Sequence, residues 1–459
     1  MATPAQPMSA AKISPLVGRN VAFRGANNKY LGWYKGGFLR FCYDDLTSPL
    51  VKHELVEENG DNENGERHVH IKCCFNQKFW MKEDAESALI VADGSSSSSS
   101  TLFRLLFHKE NAVRLHLVQQ NEPLAVSNNL ESYLFAHSQA EGLLYAESLD
   151  ILPQYVAFKG DNGSYLGCAT VGPFATTYWL QFNAGKVADP NVPNEVEVSS
   201  DGIQIRHLTY DRYWKRMSDT YVAIDPDGKT GETDHHFKPV LVDEHTVALL
   251  SLGNNLFCSR WYSSWSGRHY LCPWVSTIDQ SARLTVEEPV VWRRVHSIQY
   301  DLDNVEISDS EPVVLQTLSH TNTSSSTDSY KMIFSRTVKN SRTWSNSVSC
   351  TTGVSGSFTL AAAETLGFGL QVSAEESRTM NWGETEEEEI TFGGTYSVTA
   401  KPDQKVIVNL MASEAKVSVP FSYTEEDLLV TGQWVFKNRN DGLFRAVNHI
   451  NLEYVASLA

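Results

Sequence analysis

The sequence predicts an all-β protein: two tandem β-trefoil domains followed by an elongated module of antiparallel strands. Three observations carry this prediction. A segment near the start recurs 135 residues later, each copy shows a further threefold period, and 343–381 alternates strictly between hydroxyl-bearing or small residues and apolar ones. A chain of 459 residues exceeds what one core organises, so several domains are expected.

The repeat defines the first two domains. Val21-Ala-Phe-Arg-Gly-Ala-Asn-Asn-Lys-Tyr-Leu-Gly32 returns as Val156-Ala-Phe-Lys-Gly-Asp-Asn-Gly-Ser-Tyr-Leu-Gly167. Downstream, His70-Ile71-Lys72 through Phe79-Trp80 matches Gln204-Ile205-Arg206 through Tyr213-Trp214, and Leu115 matches Leu249. After a tail over 1–17, this places a first domain at 18–153 and a second at 154–295. Within the first copy, strand pairs start at Val21, Val69 and Leu115; within the second, at Val156, Ile203 and Leu249. Short strands, Asn/Gly turns and a period of roughly 40–48 residues suit a closed domain of three lobes, whereas propellers use four to eight blades.

The last domain, 296–459, contains the alternating segment. Val348, Cys350, Val354, Phe358 and Leu360 fall on even positions, and Ser347, Ser349, Thr351, Ser355, Ser357 and Thr359 on odd ones. After a turn at 361–365 the pattern resumes with Leu366, Phe368, Leu370 and Val372 apolar. Each run is long enough for a membrane-spanning β-strand, with one face for lipid and one for a water-filled lumen. A lone hairpin would leave unbonded backbone groups in hydrocarbon, so insertion requires a homo-oligomer that closes a barrel. Alternation alone equally fits a half-buried hairpin of a soluble β-domain.

Composition excludes several classes. The formal charge of −17 argues against nucleic acid and against adsorption to anionic lipid by charge. No run of about 18 apolar residues offers a transmembrane helix. The N-terminal tail has neither the basic nor the apolar region of a signal peptide, so synthesis in the cytoplasm or nucleocytoplasm is expected, with action at membranes. Seven cysteines without a CxxC spacing read as free thiols in a reducing compartment. Enzymatic signatures are weak. Asp225-Pro-Asp227-Gly228 begins like a calcium loop but has His236 where a bidentate Glu is needed, and 353–356 lacks the helix of a nucleophile elbow. No enzyme activity, metal or cofactor is expected. Glu386–Glu389, just past the hairpin, would repel its copies in a ring or simply form a solvated strand end.

Several segments resemble a known family. Phe158-Lys159-Gly160, Tyr165-Leu166-Gly167, Leu180-Gln181-Phe182 before Asp189-Pro190, and Ser132-Tyr133-Leu134-Phe135-Ala136 resemble the agglutinin domains of the amaranthin family, which are β-trefoils. Thr343-Trp344-Ser345-Asn346-Ser347, with Thr351-Thr352-Gly353-Val354-Ser355 and Phe358, is similar to the prestem of aerolysin-like pore-forming modules. Together they resemble a plant chimerolectin. The resemblance implies galactose or N-acetylgalactosamine glycans as ligands, Galβ1-3GalNAc among them, and a barrel built from the hairpin. In the first domain, 82–89 lacks the aromatic and amide groups that amaranthin places there.

In the second domain the residue types that recognise sugars, aromatic faces with short polar neighbours, occur at Trp214, Asp219 and Tyr221 and at Trp261, Tyr262 and Trp265. The repeat positions of Trp80 and Trp214 also suit a trefoil core. The expected function is a lectin-directed pore former for plant defence. The alternative is a soluble carbohydrate-binding stress or defence lectin whose C-terminal domain only mediates oligomerisation.

Overall fold

A computed structural model describes residues 20–58, 67–84, 86–107, 112–127, 132–138, 142–148, 152–170, 177–199, 202–217, 221–225, 231–243, 245–346, 356–358, 364–365, 371–372, 383 and 385–458. These are β-strands with short 3-10 turns, and among them no helix is long and apolar enough to cross a membrane. The chain divides into two units. One holds Met1–Arg294 together with Glu425–Lys437, the other Val295–Ser347, Gly356–Thr424 and Asn438–Ala459.

The first unit contains both trefoils, each a twelve-stranded closed sheet. Strands Asn20–Arg24, Arg67–Cys73 and Ala112–Leu117 begin the three lobes of the first; Tyr155–Lys159, Gly202–His207 and Thr246–Ser251 those of the second. The register confirms the repeat residue by residue. Val21 lies opposite His53 as Val156 lies opposite Asn194, and Leu55 opposite Ile71 as Val196 opposite Ile205. Val21, Val156, Ile71, Ile205, Leu115 and Leu249 are all buried. The core of the second trefoil is a continuous apolar cluster running from Leu152 through Phe158, Leu180, Ile205 and Leu249 to Leu284. Such continuity is what makes a trefoil of short strands stable, because no single lobe can bury its own apolar face.

The expected third domain is corrected at one point, since 425–437 belongs with the trefoils. The reason is burial. Leu429 packs with Tyr155 and Val290, with Leu208 and Val435 around them. Arg293, nearly buried, donates from Nε and Nη2 to Asp427 at 2.8 and 2.7 Å, and from Nη2 to Glu288 at 2.6 Å. Glu425 stands 3.6 Å from the same guanidinium.

The second unit is built of long strands. Asp328–Asn346 pairs with Thr385–Ala400, and Glu306–Thr321 pairs with the strand that begins at Lys405. Its cores alternate along these strands: Met332, Phe334, Val398, Ala400, Val406, Val408 and Leu410 in one cluster, Trp344, Val417, Val419, Phe421 and Phe444 in another. Alternation with period two is what a strand buried on one face requires.

Most of the expected inserting hairpin lies outside the described residues: Val348, Val354, Leu360, Leu366, Phe368 and Leu370. Phe358 falls on the strand Gly356–Phe358 and Val372 on Gln371–Val372. The expected turn at 361–365 is corrected, because Glu364–Thr365 is a strand whose partner is Gln371–Val372, with Glu364 opposite Val372.

Candidate glycan site on the second trefoil

The site residues gather on one hairpin, Leu256–Ser263 and Arg268–Val275, and on the strands beside it. The hairpin turns at 264–267, where Gly267 adopts φ +67°, a conformation that costs glycine nothing and other residues strain. Trp265 at this turn is 89% exposed, and Tyr262 and Trp274 on the two strands are each 53% exposed. Large rings held in water without a covering partner are the usual mark of a binding surface.

Trp274 belongs to an aromatic stack on one face of the hairpin. Tyr221 is half-buried and meets three rings: Trp179 at 5.3 Å, Tyr270 at 5.2 Å and Trp261 at 5.9 Å, all edge to face. Trp261, opposite Tyr270 in the register, lies nearly parallel to Trp274 at 6.4 Å. Edge-to-face contacts of this kind hold rings in fixed orientation. Tyr221 therefore fixes Trp261 in place as much as it offers a face of its own. Burial pushes its hydroxyl pKa up, so the phenol stays protonated and able to donate.

A polar strip lies on the other face of the hairpin, since Arg260 and Tyr262 alternate with Trp261 and His269 with Tyr270. Arg260 pairs with Asp161 through Nε and, at 2.9 Å, through Nη2, and its Nη1 donates to Nδ1 of His269 at 2.8 Å. His269 in turn contacts the ring of Tyr262 at 4.9 Å. Burial, then the Arg260 charge, hold the His269 pKa below its usual value, so the imidazole is neutral and accepts at Nδ1. Arg268 Nη1 donates to Thr170 O and to Gln181 Oε1, each at 3.2 Å, anchoring the hairpin to the strand Tyr178–Ala184.

Of the six residues expected from sequence, Trp261, Tyr262 and Trp265 share this hairpin and Tyr221 supports it. Asp219 lies outside the described residues. Trp214 is a correction: it is fully buried, its Nε1 donates to Asn194 Oδ1 at 3.0 Å, and its ring packs on Phe158 and Phe237. A sugar cannot reach it. Sequence reasoning missed Trp274, Trp179, His269 and the Arg260–Asp161 pair. Trp274 follows Tyr270 and Cys272 at alternate positions of one strand, a signal present in the sequence.

Among the described residues, the first trefoil lacks this stack. The pairs Phe38 with Val91 and Trp179 with Ala223 put Leu89 where the second trefoil has Tyr221. Tyr133 is the counterpart of Tyr270, because Arg40 and Gln181 take equivalent places opposite Gly32 and Gly167. Ser127, whose N–H donates to Tyr133 O at 2.9 Å, then stands where Trp261 stands. Instead, Arg40 lies over Tyr34 and Tyr133 at 4.9 and 5.5 Å.

Two constellations with catalytic residue types prove structural. Cys168 Sγ lies 3.2 Å from His207 Nε2, yet both are buried, the thiol pKa is pushed up to about 12 by burial and the imidazole's is lowered by the same cause. A neutral thiol beside a neutral imidazole is a poor nucleophile. Asp225, from the loop that begins like a calcium site, is buried and bonded to His235 Nε2 at 2.8 Å. Among the described residues no group of three His, Cys, Asp or Glu side chains could hold a metal ion.

The agglutinin domain model matches residues 16–143 and 149–287, and the chain belongs to that family. The matched segments coincide with the two trefoils. No curated protein matches by sequence. Among solved structures, a lamprey immune protein is similar over 67% of this chain and 100% of its own, at 14% identity and TM-score 0.30. A mosquitocidal holotoxin is similar over 62% of this chain and 36% of its own, at 11% identity and TM-score 0.27. The parasporin-2 toxin of Bacillus thuringiensis, described as recognising cancer cells, is similar over 36% of this chain and 72% of its own, at 20% identity and TM-score 0.24.

Proposed function

We propose that this chain is a carbohydrate-binding, pore-forming defence protein that works without catalysis. The trefoils bind galactose or N-acetylgalactosamine glycans on a membrane, with Galβ1-3GalNAc as the first candidate. The hairpin of the second trefoil is the contact surface. Its exposed Trp265 and Trp274 offer faces to the apolar side of a pyranose and the Tyr221 phenol a hydrogen bond to a hydroxyl, while on the other face of the hairpin Tyr262 and the neutral His269 offer a second ring and a second hydrogen-bonding group. Binding concentrates protomers on the surface, and the aerolysin-like segment 343–381 of several copies refolds into one barrel.

The observation that carries the reading is the coexistence in one chain of two agglutinin domains, one bearing an exposed aromatic hairpin, with a strand pair that leads directly into an alternating segment. Liposomes with and without a glycolipid ending in Galβ1-3GalNAc, loaded with a self-quenched dye, test it. Release that requires the glycolipid is expected. Binding to the glycolipid without release from any liposome leaves the oligomeric lectin in its place, and no binding to any galactose-type glycan overturns the lectin reading.

A further inference from the structure

We propose that the channel wall begins on strands already formed here, with the odd-numbered face of Asp328–Asn346 and Thr385–Ala400 turned to the lumen. The assignment rests on the pore reading and names side chains that set ion selectivity. The two strands pair without a slip from Asp328 opposite Ala400 to Thr343 opposite Thr385. Side chains alternate between faces at each residue, so the odd positions form one continuous track.

That track is exposed at every odd position from Ser329 to Lys339 and from Thr385 to Thr399. Hydroxyls bond across it: Thr337 to Thr391 at 2.8 Å, Thr343 to Thr385 at 2.8 Å and Ser329 to Thr399 at 3.4 Å. The opposite face is covered over part of its length, where Met332, Phe334, Val398 and Ala400 are buried against Val406, Val408 and Leu410; farther along it Arg336, Glu386 and Glu388 are exposed, and the unslipped register carries the assignment of faces to their level. A barrel strand has only an inside and an outside. A face already covered by its own chain would plug a lumen, so the hydroxyl track is the face left to line it.

The register then divides the run Glu386–Glu389. Glu387 and Glu389 lie on the lumen track with Lys339, which bonds Glu387 at 2.6 Å; Glu386 and Glu388 lie on the outer face with Arg342, 3.3 Å from Glu388. At this level each protomer brings two carboxylates and one ammonium to the lumen. Repeated around a ring, the excess negative charge favours cations. Lys331 shares the track eight residues away, roughly 26 Å along the strand, outside the reach of a Debye length of about 8 Å.

Reversal potentials in planar bilayers under a potassium chloride gradient test the assignment. Wild-type channels are expected to prefer cations. Glu387→Gln with Glu389→Gln should lower the cation-to-anion permeability ratio severalfold, and Lys339→Gln should raise it. Thr391→Lys, an independent variant on an exposed position, should shift the channel toward anions. Glu386→Gln with Glu388→Gln, equal in charge but on the other face, should leave the ratio unchanged. The assignment is overturned by equal effects from the two double variants, or by no effect from Thr391→Lys in channels that still conduct. Absence of any wild-type conductance overturns the pore reading itself, and this assignment with it.

Discussion

His53 and Asn194 occupy one position of the repeat and meet the same need with different chemistry. Each accepts the indole N–H of a fully buried tryptophan, Trp80 at 3.2 Å on His53 Nδ1 and Trp214 at 3.0 Å on Asn194 Oδ1. An indole nitrogen can only donate, so His53 carries its proton on Nε2, which faces Leu31 O at 3.3 Å. Asn194 completes the parallel by donating to Val192 O at 2.7 Å. The histidine has a consequence the amide lacks. Burial lowers the His53 pKa from 6.5 to about 4. The unfolded chain therefore takes up a proton first as pH falls, and stability is lost from about pH 6.5 downward until the folded-state pKa near 4 is passed. The full penalty is on the order of 3 kcal/mol, at about 1.36 kcal/mol per pKa unit. His53→Asn should flatten the dependence of unfolding temperature on pH between 7 and 4.5 while keeping an acceptor for Trp80. An unchanged pH slope in that variant would show that His53 is not its source. Sugar contacts are argued at the same scale. Trp274→Ala should weaken glycan binding by about 1–2 kcal/mol in calorimetry without lowering the unfolding temperature, since its ring is half in water.

Elements explain why some of this was legible in advance and some was not. Strands announce themselves by period-two burial, so the lobes starting at Val21, Val69 and Leu115 were readable, as was the pairing of the two copies. Trp214 could be read either way, because an aromatic residue at a repeat position serves a core or a ligand equally well until its burial is known. The attachment of 425–437 to the trefoils left no local signature. It depends on Arg293 meeting Asp427, a contact between residues 134 apart in sequence. Arg293→Met should be costly there. It removes the cation shared by Asp427, Glu288 and Glu425, all buried, and breaking such a group typically costs about 3–5 kcal/mol. Hydrogen exchange in 425–437 should rise sharply in that variant. Protection equal to wild type would mean that Leu429 and its apolar neighbours hold the segment alone.

Over the whole molecule, the function proposed above puts targeting and insertion on different residues, and mass action would separate them. Glycan binding raises the local concentration of protomers but adds nothing to the barrel itself, so its loss can be offset by adding protein. Tyr221→Ala with Trp261→Ala should therefore shift the leakage curve to higher protein concentration and leave its maximum intact. Insertion has no such substitute. Arg at Val354 or Leu370, on the face proposed to meet lipid, costs roughly 2–4 kcal/mol at mid-bilayer, and each protomer of a ring adds its own share. Val354→Arg should abolish leakage at every concentration while binding glycan liposomes as wild type does. Asp at Ser355, one residue away on the opposite face, should still permit release, because the charge then faces water. Equal loss from Val354→Arg and Ser355→Asp would remove the inside–outside distinction on which the barrel depends. Rescue of Val354→Arg by excess protein would show that the segment acts in assembly and never enters the membrane.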